Sequence, residues 1–255
     1  GGFDSLVGGL GIDTADYSGA AGNVNVDLGA NAASNDGDGS SDSLSGIENV
    51  TGSAFADILA GDTQGNVLDG GDGDDTLSGR AGNDTIIGGL GIDTVSYAGA
   101  AAGATVNLTA GTAVNDGDTG NDTISGVENI LGSSFGDDLQ GSTGVNLIES
   151  GDGNDIIRAT AGLDTYDGGN GLDTLTYAGL AAATAIAVTL NGSNNVTVTV
   201  SGAQNHTIRN IENITGTAGA DNINGDNRVN TLIGGSGNDI IRGGGESDSD
   251  RKSTR

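Results

Sequence analysis

From Gly70 to Ser96 the sequence reads GGDGDDTLS, GRAGNDTII, GGLGIDTVS, three nine-residue blocks laid end to end with Asp75, Asp84 and Asp93 each in sixth place. Glycines early in a block permit positive-φ corners and close backbone approach, so the first six residues form a turn. The last three, Thr76-Leu77-Ser78 in the first block, set one apolar residue between two small polar ones, the period-2 pattern of a very short half-buried strand. Such a unit cannot bury its own apolar side chain. It is stable only when stacked on copies of itself.

Counting in nines extends the pattern in both directions. Glu48, Asp57, Asn66, Asp75, Asp84 and Asp93 are each followed two residues later by Val50, Leu59, Leu68, Leu77, Ile86 and Val95. Glu128, Asp137, Asn146, Asp155, Asp164 and Asp173 lead to Ile130, Leu139, Ile148, Ile157, Tyr166 and Leu175, and Glu212, Asp221, Asn230 and Asp239 lead to Ile214, Ile223, Leu232 and Ile241. These apolar residues are the expected core ladder. A longer period lies above the nine: GGLGIDT at Gly8–Thr14 returns at Gly88–Thr94 and, as GGNGLDT, at Gly168–Thr174, 80 residues apart each time. The chain is therefore expected to hold three units, 1–87, 88–167 and 168–245, followed by a disordered tail over 246–255, where ESDSDRKSTR has no apolar residue. It starts inside a repeat, at Gly1-Gly2-Phe3-Asp4, as a fragment or processed piece would.

The blocks resemble the GGxGxDxUx nonapeptides of the RTX family, the hemolysin-type calcium-binding repeats, where U is a large apolar residue. The resemblance implies an all-β fold, a right-handed parallel β-roll or β-solenoid of about 18 residues per turn with calcium in the turns. Stacked at about 4.8 Å per turn, three units would make a rod on the order of 60 Å. Each ion would sit between corners of neighbouring turns. The ligand role passes to Asp75, Asp84, Asp93, Asp155, Asp164, Asp173 and Asp239, with Asp4 and Asp13 also in register, and to the corner glycines whose carbonyls are exposed: Gly71, Gly73, Gly82, Gly89, Gly91, Gly151, Gly153, Gly169, Gly171, Gly235 and Gly237. Blocks 52–57 (GSAFAD) and 132–137 (GSSFGD) depart from the pattern; Phe55 and Phe135 are expected to fill apolar corners, while Asp57, Asp137 and, in the third unit, Asp221 can still donate a carboxylate to the next turn. Asn66, Asn146 and Asn230 are neutral and read as corner caps. With residues 18 apart sharing an edge, the edge of Asp75, Asp155 and Asp239 should bind more calcium than the Glu and Asn edge.

Composition supports a metal-dependent fold. Fifty glycines, no proline and a hydrophobic content of 34% exclude an ordinary globular core. Thirty-five Asp and Glu against eight Lys and Arg give a net charge of −27, which a compact chain tolerates only with cations. Calcium accepts six to eight oxygens at about 2.3–2.6 Å in flexible geometry. Such a polyanion binds neither nucleic acid phosphates nor an anionic membrane surface directly, and no apolar run approaches the roughly 18 residues needed to span a bilayer. Cysteine is absent.

Between the blocks, each unit carries an alternating strand such as Val24-Asn25-Val26-Asp27-Leu28 and, in the first two, an acidic loop at Asp36–Asp42 and Asp116–Asp122. One further turn plus a surface loop would account for this length. Tyr17, Tyr97 and Tyr177 keep register and are expected to plug the end of each regular block. His206, the only histidine, is expected at the surface. No nucleophile elbow, P-loop or metal-protease helix occurs, so the chain is not expected to be an enzyme. The sequence is that of a calcium-binding structural rod of a secreted or cell-surface bacterial protein, an adhesin, surface layer or filament; the alternative is a calcium-dependent folding and secretion module of a type I secreted enzyme or toxin. The open ends of such a stack invite head-to-tail self-association.

Overall fold

The computed structural model describes residues 2–181, 184–201, 205–245 and 248–251. Two compact units divide the chain, Gly1–Leu131 and Gly132–Arg255. Among the described residues there are strands and turns and no helix long and apolar enough to cross a membrane.

The first unit contains β1 (Ser5–Val7), β2 (Thr14–Asp16), β3 (Val24–Asp27), β4 (Ala32–Asp36), β5 (Asp42–Ser45), β6 (Asn49–Thr51), β7 (Ile58–Ala60), β8 (Val67–Asp72), β9 (Thr76–Ser78), β10 (Thr85–Leu90), β11 (Thr94–Ser96), β12 (Thr105–Asn107), β13 (Thr112–Asn115), β14 (Asp122–Ser125) and β15 (Asn129–Leu131). They alternate between two sheets. One runs β1-β5-β4-β3-β7-β9-β11-β15 and the other β2-β6-β8-β10-β14-β13-β12. Single strands stack in parallel, with Leu59 on Leu77 and Leu77 on Val95 in the first sheet, and Val50 on Leu68 and Leu68 on Ile86 in the second.

The second unit contains β16 (Asp138–Gln140), β17 (Leu147–Glu149), β18 (Ile156–Arg158), β19 (Thr165–Asp167), β20 (Thr174–Thr176), β21 (Ile186–Thr189), β22 (Val196–Val200), β23 (His206–Arg209), β24 (Asn213–Thr215), β25 (Asn222–Asn224), β26 (Thr231–Ile233), β27 (Ile240–Arg242) and β28 (Ser249–Arg251). Its sheets run β16-β18-β20-β24-β26-β28 and β17-β19-β23-β22-β21-β25-β27. Both units are parallel β-rolls. Every residue of the expected core ladder is buried, and most of them show no exposed surface at all. Burying each such Leu, Ile or Val contributes about 1.5–3 kcal/mol. A residue one place along would face out, as half-exposed Ile58 and Ile240 do beside Leu59 and Ile241.

The segments between regular blocks do not form a further parallel turn. Each is a three-stranded meander lying within one sheet: β3-β4-β5, β12-β13-β14 and β21-β22-β23, with antiparallel pairs inside it. The first hairpin turns at Asp27–Asn31, where Asp27 Oδ1 accepts the Ala30 N–H (2.9 Å) and Asn31 is left-handed. A chain that reverses so tightly pairs with itself before it can circle the roll. The meander takes one place in the alternation and six single strands follow it, so each repeat has an odd number of places. Successive meanders therefore change sheets: in the first unit β3-β4-β5 lies in one and β12-β13-β14 in the other.

The segment expected as a tail carries β28, whose Ser249–Arg251 stack in parallel on Thr231–Ile233. Nines continue there from Asp239 to Asp248, and the Asn230 N–H donates to Asp248 Oδ1 (3.1 Å). An aspartate in the apolar place, Asp250, hid this block in the sequence. Residues 246–247 and 252–255 of that expected tail lie outside the described residues.

Candidate metal centre

Each corner is the six-residue turn that leads into a single strand, and its sixth side chain points inward. Asp57, Asp75, Asp84, Asp93, Asp137, Asp155, Asp164, Asp173 and Asp221 are all buried. One carboxylate oxygen has the same task throughout: it accepts the backbone N–H of the sixth residue one turn earlier. The Asp57 N–H donates to Asp75 Oδ1 and the Asp75 N–H to Asp93 Oδ1, both at 2.8 Å. The Asn66 N–H donates to Asp84 Oδ1 (2.7 Å), the Asp155 N–H to Asp173 Oδ1 (2.9 Å) and the Asp221 N–H to Asp239 Oδ1 (3.0 Å). Beside a meander the reach is longer and glutamate serves, as Glu48, Glu128 and Glu212 accept from Asp13, Asp93 and Asp173. These charge-assisted bonds hold the corners in register.

The other oxygen separates two kinds of corner. Oδ2 of Asp13, Asp75, Asp84, Asp93, Asp155, Asp173 and Asp239 is buried with no hydrogen-bond partner. In each of these blocks the second residue has a positive φ: Gly9, Gly71, Gly89, Gly151, Gly169, Gly235 and, without being glycine, Arg80 (φ 65°). No N–H from that place reaches the carboxylate. Where the second residue has no positive φ, its N–H donates into the sixth side chain. Ser53 and Ser133 bond Asp57 and Asp137 through N–H and hydroxyl alike, and Thr217 does the same for Asp221. Asp62, Ser142 and Asp226 donate to the Oδ1 of Asn66, Asn146 and Asn230.

An orphaned, buried carboxylate oxygen costs several kcal/mol unless a cation or proton meets it. Burial pushes Asp75 and Asp155 up to about 6 and Asp84 and Asp173 up to about 7, with neighbouring carboxylates adding to the shift. Among the described residues no group of three His, Cys, Asp or Glu side chains could hold a metal ion by itself. The remaining ligands must be carbonyls, and the corners supply them. A Cβ on Gly70 would collide with Asp75 Oδ2 and meet the Gly88 carbonyl at 2.6 Å; one on Gly168 would strike the Asn210 carbonyl and lie 2.8 Å from Asp173 Oδ2. All eleven corner glycines singled out by sequence take positive φ, from 79° at Gly169 to 153° at Gly171. The donor set is entirely oxygen, part carboxylate and part carbonyl, which fits calcium.

Several sequence expectations change. Asp57, Asp137 and Asp221 have protein donors on both oxygens and are closed corners. Asp164 Oδ2 accepts the Tyr166 hydroxyl (2.8 Å) and the Thr160 hydroxyl (3.3 Å), because Thr160 replaces the second glycine. Asp4 lies exposed. Phe55 and Phe135 fill no apolar corner, being 46% and 45% exposed. Within the second unit Asp155 leads into β18 and Asp239 into β27, which lie in different sheets, so they share no edge; the odd number of places per repeat moves equivalent corners across. Asp36, Asp42, Asp116 and Asp122 are buried and not a surface loop. Tyr17, Tyr97 and Tyr177 are buried as expected, and the hydroxyls of Tyr17 and Tyr97 reach Asp42 and Asp122 at 3.4 Å. His206 is not at the surface: it is 1% exposed, stacked on Tyr177 and edge-on to Tyr166. It opens β23 as Asp42 opens β5 and Asp122 opens β14.

The family model described as RTX calcium-binding nonapeptide repeat matches the chain in four copies, at residues 61–95, 131–166, 140–175 and 213–249. No curated protein matches it. The matched stretches hold Asp75, Asp84, Asp93, Asp155, Asp173 and Asp239, the open corners outside the first block. These stretches belong to the RTX calcium-binding nonapeptide repeat family, and the chain is a parallel β-roll built on them.

Proposed function

We propose that the chain is a calcium-ordered structural segment of a secreted or cell-surface bacterial protein, of the adhesin, surface-layer or filament kind. The observation that carries this is the row of buried Oδ2 atoms without partners at Asp13, Asp75, Asp84, Asp93, Asp155, Asp173 and Asp239. Without ions these carboxylates repel one another in a chain of net charge −27, and the roll is disfavoured. Ions that bind only the folded form shift the balance by mass action. Extracellular calcium modules work at about 10⁻⁴ to 10⁻³ M, so the chain would stay unfolded inside the cell and fold outside it. In this role the chain is not an enzyme; its sole histidine is sealed between two tyrosines.

Calcium titration followed by far-UV circular dichroism tests the proposal. A β-signal that grows with calcium over the millimolar range is expected, and one already complete in excess chelator overturns it. The structural role is tested on the parent protein: further 80-residue units upstream of Gly1 support it, and a catalytic domain there refutes it in favour of an accessory module.

A further inference from the structure

One buried carboxylate belongs to no block in sixth place. Asp116 follows β13 and begins the loop Asp116-Gly117-Asp118-Thr119-Gly120-Asn121 that leads to Asp122 at the start of β14. It is wholly buried. Its Oδ1 accepts the N–H groups of Asp118 (2.7 Å) and Gly120 (2.9 Å), while its Oδ2 has no partner.

The loop lies against the corner of residues 79–84. The Asp84 N–H donates to Asp122 Oδ1 (3.1 Å) and the Asn121 N–H to Asn83 Oδ1 (2.9 Å). Gly120 has no room for a side chain: a Cβ there would collide with both the Gly82 carbonyl oxygen and Asp116 Oδ2. Those two oxygens thus flank the same point. Asp84 Oδ2, in the same corner, is also partnerless. Asp122 is spent on protein donors, since its second oxygen accepts the Tyr97 hydroxyl (3.4 Å). Burial raises Asp84 first of all, and the charges of Asp122 and Asp116 add to it, as carboxylates facing one corner would.

The other two repeats show the same place without the free oxygen. In the first, Asp36 Oδ1 accepts from Asp38 and Ser40 in the same way, but Asp36 Oδ2 accepts the Ser40 hydroxyl (2.6 Å). Ser40 stands where the second repeat has Gly120. In the third, Val200 and His206 stand in the places of Asp116 and Asp122, and Tyr166 bonds Asp164, the counterpart of Asp84. A carboxylate there is capped, left open or replaced along with its neighbours.

We propose that Asp116 is a calcium ligand, supplied by the meander of the second repeat to the corner of residues 79–84, at a site outside the nonapeptide pattern. The proposal rests on the open corners binding calcium. Gly82 offers its carbonyl and Asp84 its free oxygen, and this all-oxygen set selects a hard divalent cation.

Equilibrium dialysis against buffered calcium, with the metal counted by atomic emission, tests it on the full chain. Asp116→Asn should bind one ion fewer than wild type at saturation and keep the full β-signal. The reciprocal change, Ser40→Gly, removes the cap from Asp36 and should bind one ion more, which decides the matter if Asp116→Asn does not fold. Equal calcium content in wild type and the folded Asp116→Asn, or in wild type and Ser40→Gly where only that variant folds, overturns the proposal alone. A wild-type chain that binds no calcium overturns the general calcium reading with it.

Discussion

Asp57 and Asp75 are one turn apart in the same sheet, both buried, and joined by a hydrogen bond from the backbone of the first to the carboxylate of the second. Their surroundings make them opposites. Ser53 satisfies Asp57 with its N–H and hydroxyl, whereas Gly71, at φ 100°, leaves Asp75 Oδ2 without a donor. A corner is closed by protein donors or left open for an ion, and one backbone dihedral at the second residue accompanies the choice. Closed corners hold the ladder without calcium. Open corners make it conditional.

The largest expected consequence is a pH dependence confined to the ion-free chain. Asp75, Asp84, Asp155 and Asp173 have folded pKa values of about 6 to 7, raised chiefly by burial. A raised carboxylate binds its proton more tightly folded than unfolded, so stability is greatest at low pH and falls as pH climbs from about 4 to about 7. At about 1.4 kcal/mol per unit and group, the loss is several kcal/mol. In chelator, urea midpoints should fall over that range; in saturating calcium they should not, because the ion replaces the proton. A flat profile in chelator would mean that the open corners carry no stored cost.

Next in size is the backbone itself. A Cβ at Gly89 would meet the Gly71 carbonyl head-on, at φ 113°. Gly89→Ala should cost on the order of 3 kcal/mol, read as a higher calcium midpoint in circular dichroism. Converting a closed corner to an open one should cost less. Ser53→Gly removes the hydroxyl that bonds Asp57 Oδ1 (2.8 Å) and frees the second residue to turn left-handed. The expected loss is about 1–3 kcal/mol in chelator, recovered in part by calcium. If calcium recovers none of it, glycine at this place does not suffice to open a corner.

Much of this was readable in the sequence because both periods are local. Nines place the aspartates and the ladder from Val50 to Ile241, and all of these apolar residues are buried. The second-place rule was legible too, in Gly71 against Ser53, but its meaning needs φ values. Meanders were not legible: Val24–Leu28 looks like one more stacked strand, and only the pairing partners show that β3 and β4 run antiparallel. The sheet change between repeats follows from the meander count and was lost with it. His206 and Asp116 were misjudged because single polar residues in a polar stretch give no periodic sign of facing inward.

Arg80 is where the comparison can be tested most finely, because it holds an open corner without glycine. A left-handed non-glycine residue costs about 1–2 kcal/mol. Its guanidinium gives something back, with bidentate bonds to Asp27 at 2.7 Å and one to the Gly61 carbonyl at 2.9 Å. Both partners of the ion pair are over a third exposed, or nearly so, so the pair contributes about 0.5–1 kcal/mol. Glycine would relieve the strain but gain freedom in the unfolded chain. Arg80→Gly should therefore shift stability by no more than about 0.5 kcal/mol and leave the calcium content unchanged. Arg80→Ser supplies the residue found in the closed corners of Ser53 and Ser133; its N–H should turn onto Asp84 Oδ2 and displace an ion. Equal calcium content in the two variants would show that the second residue follows the corner and does not set it.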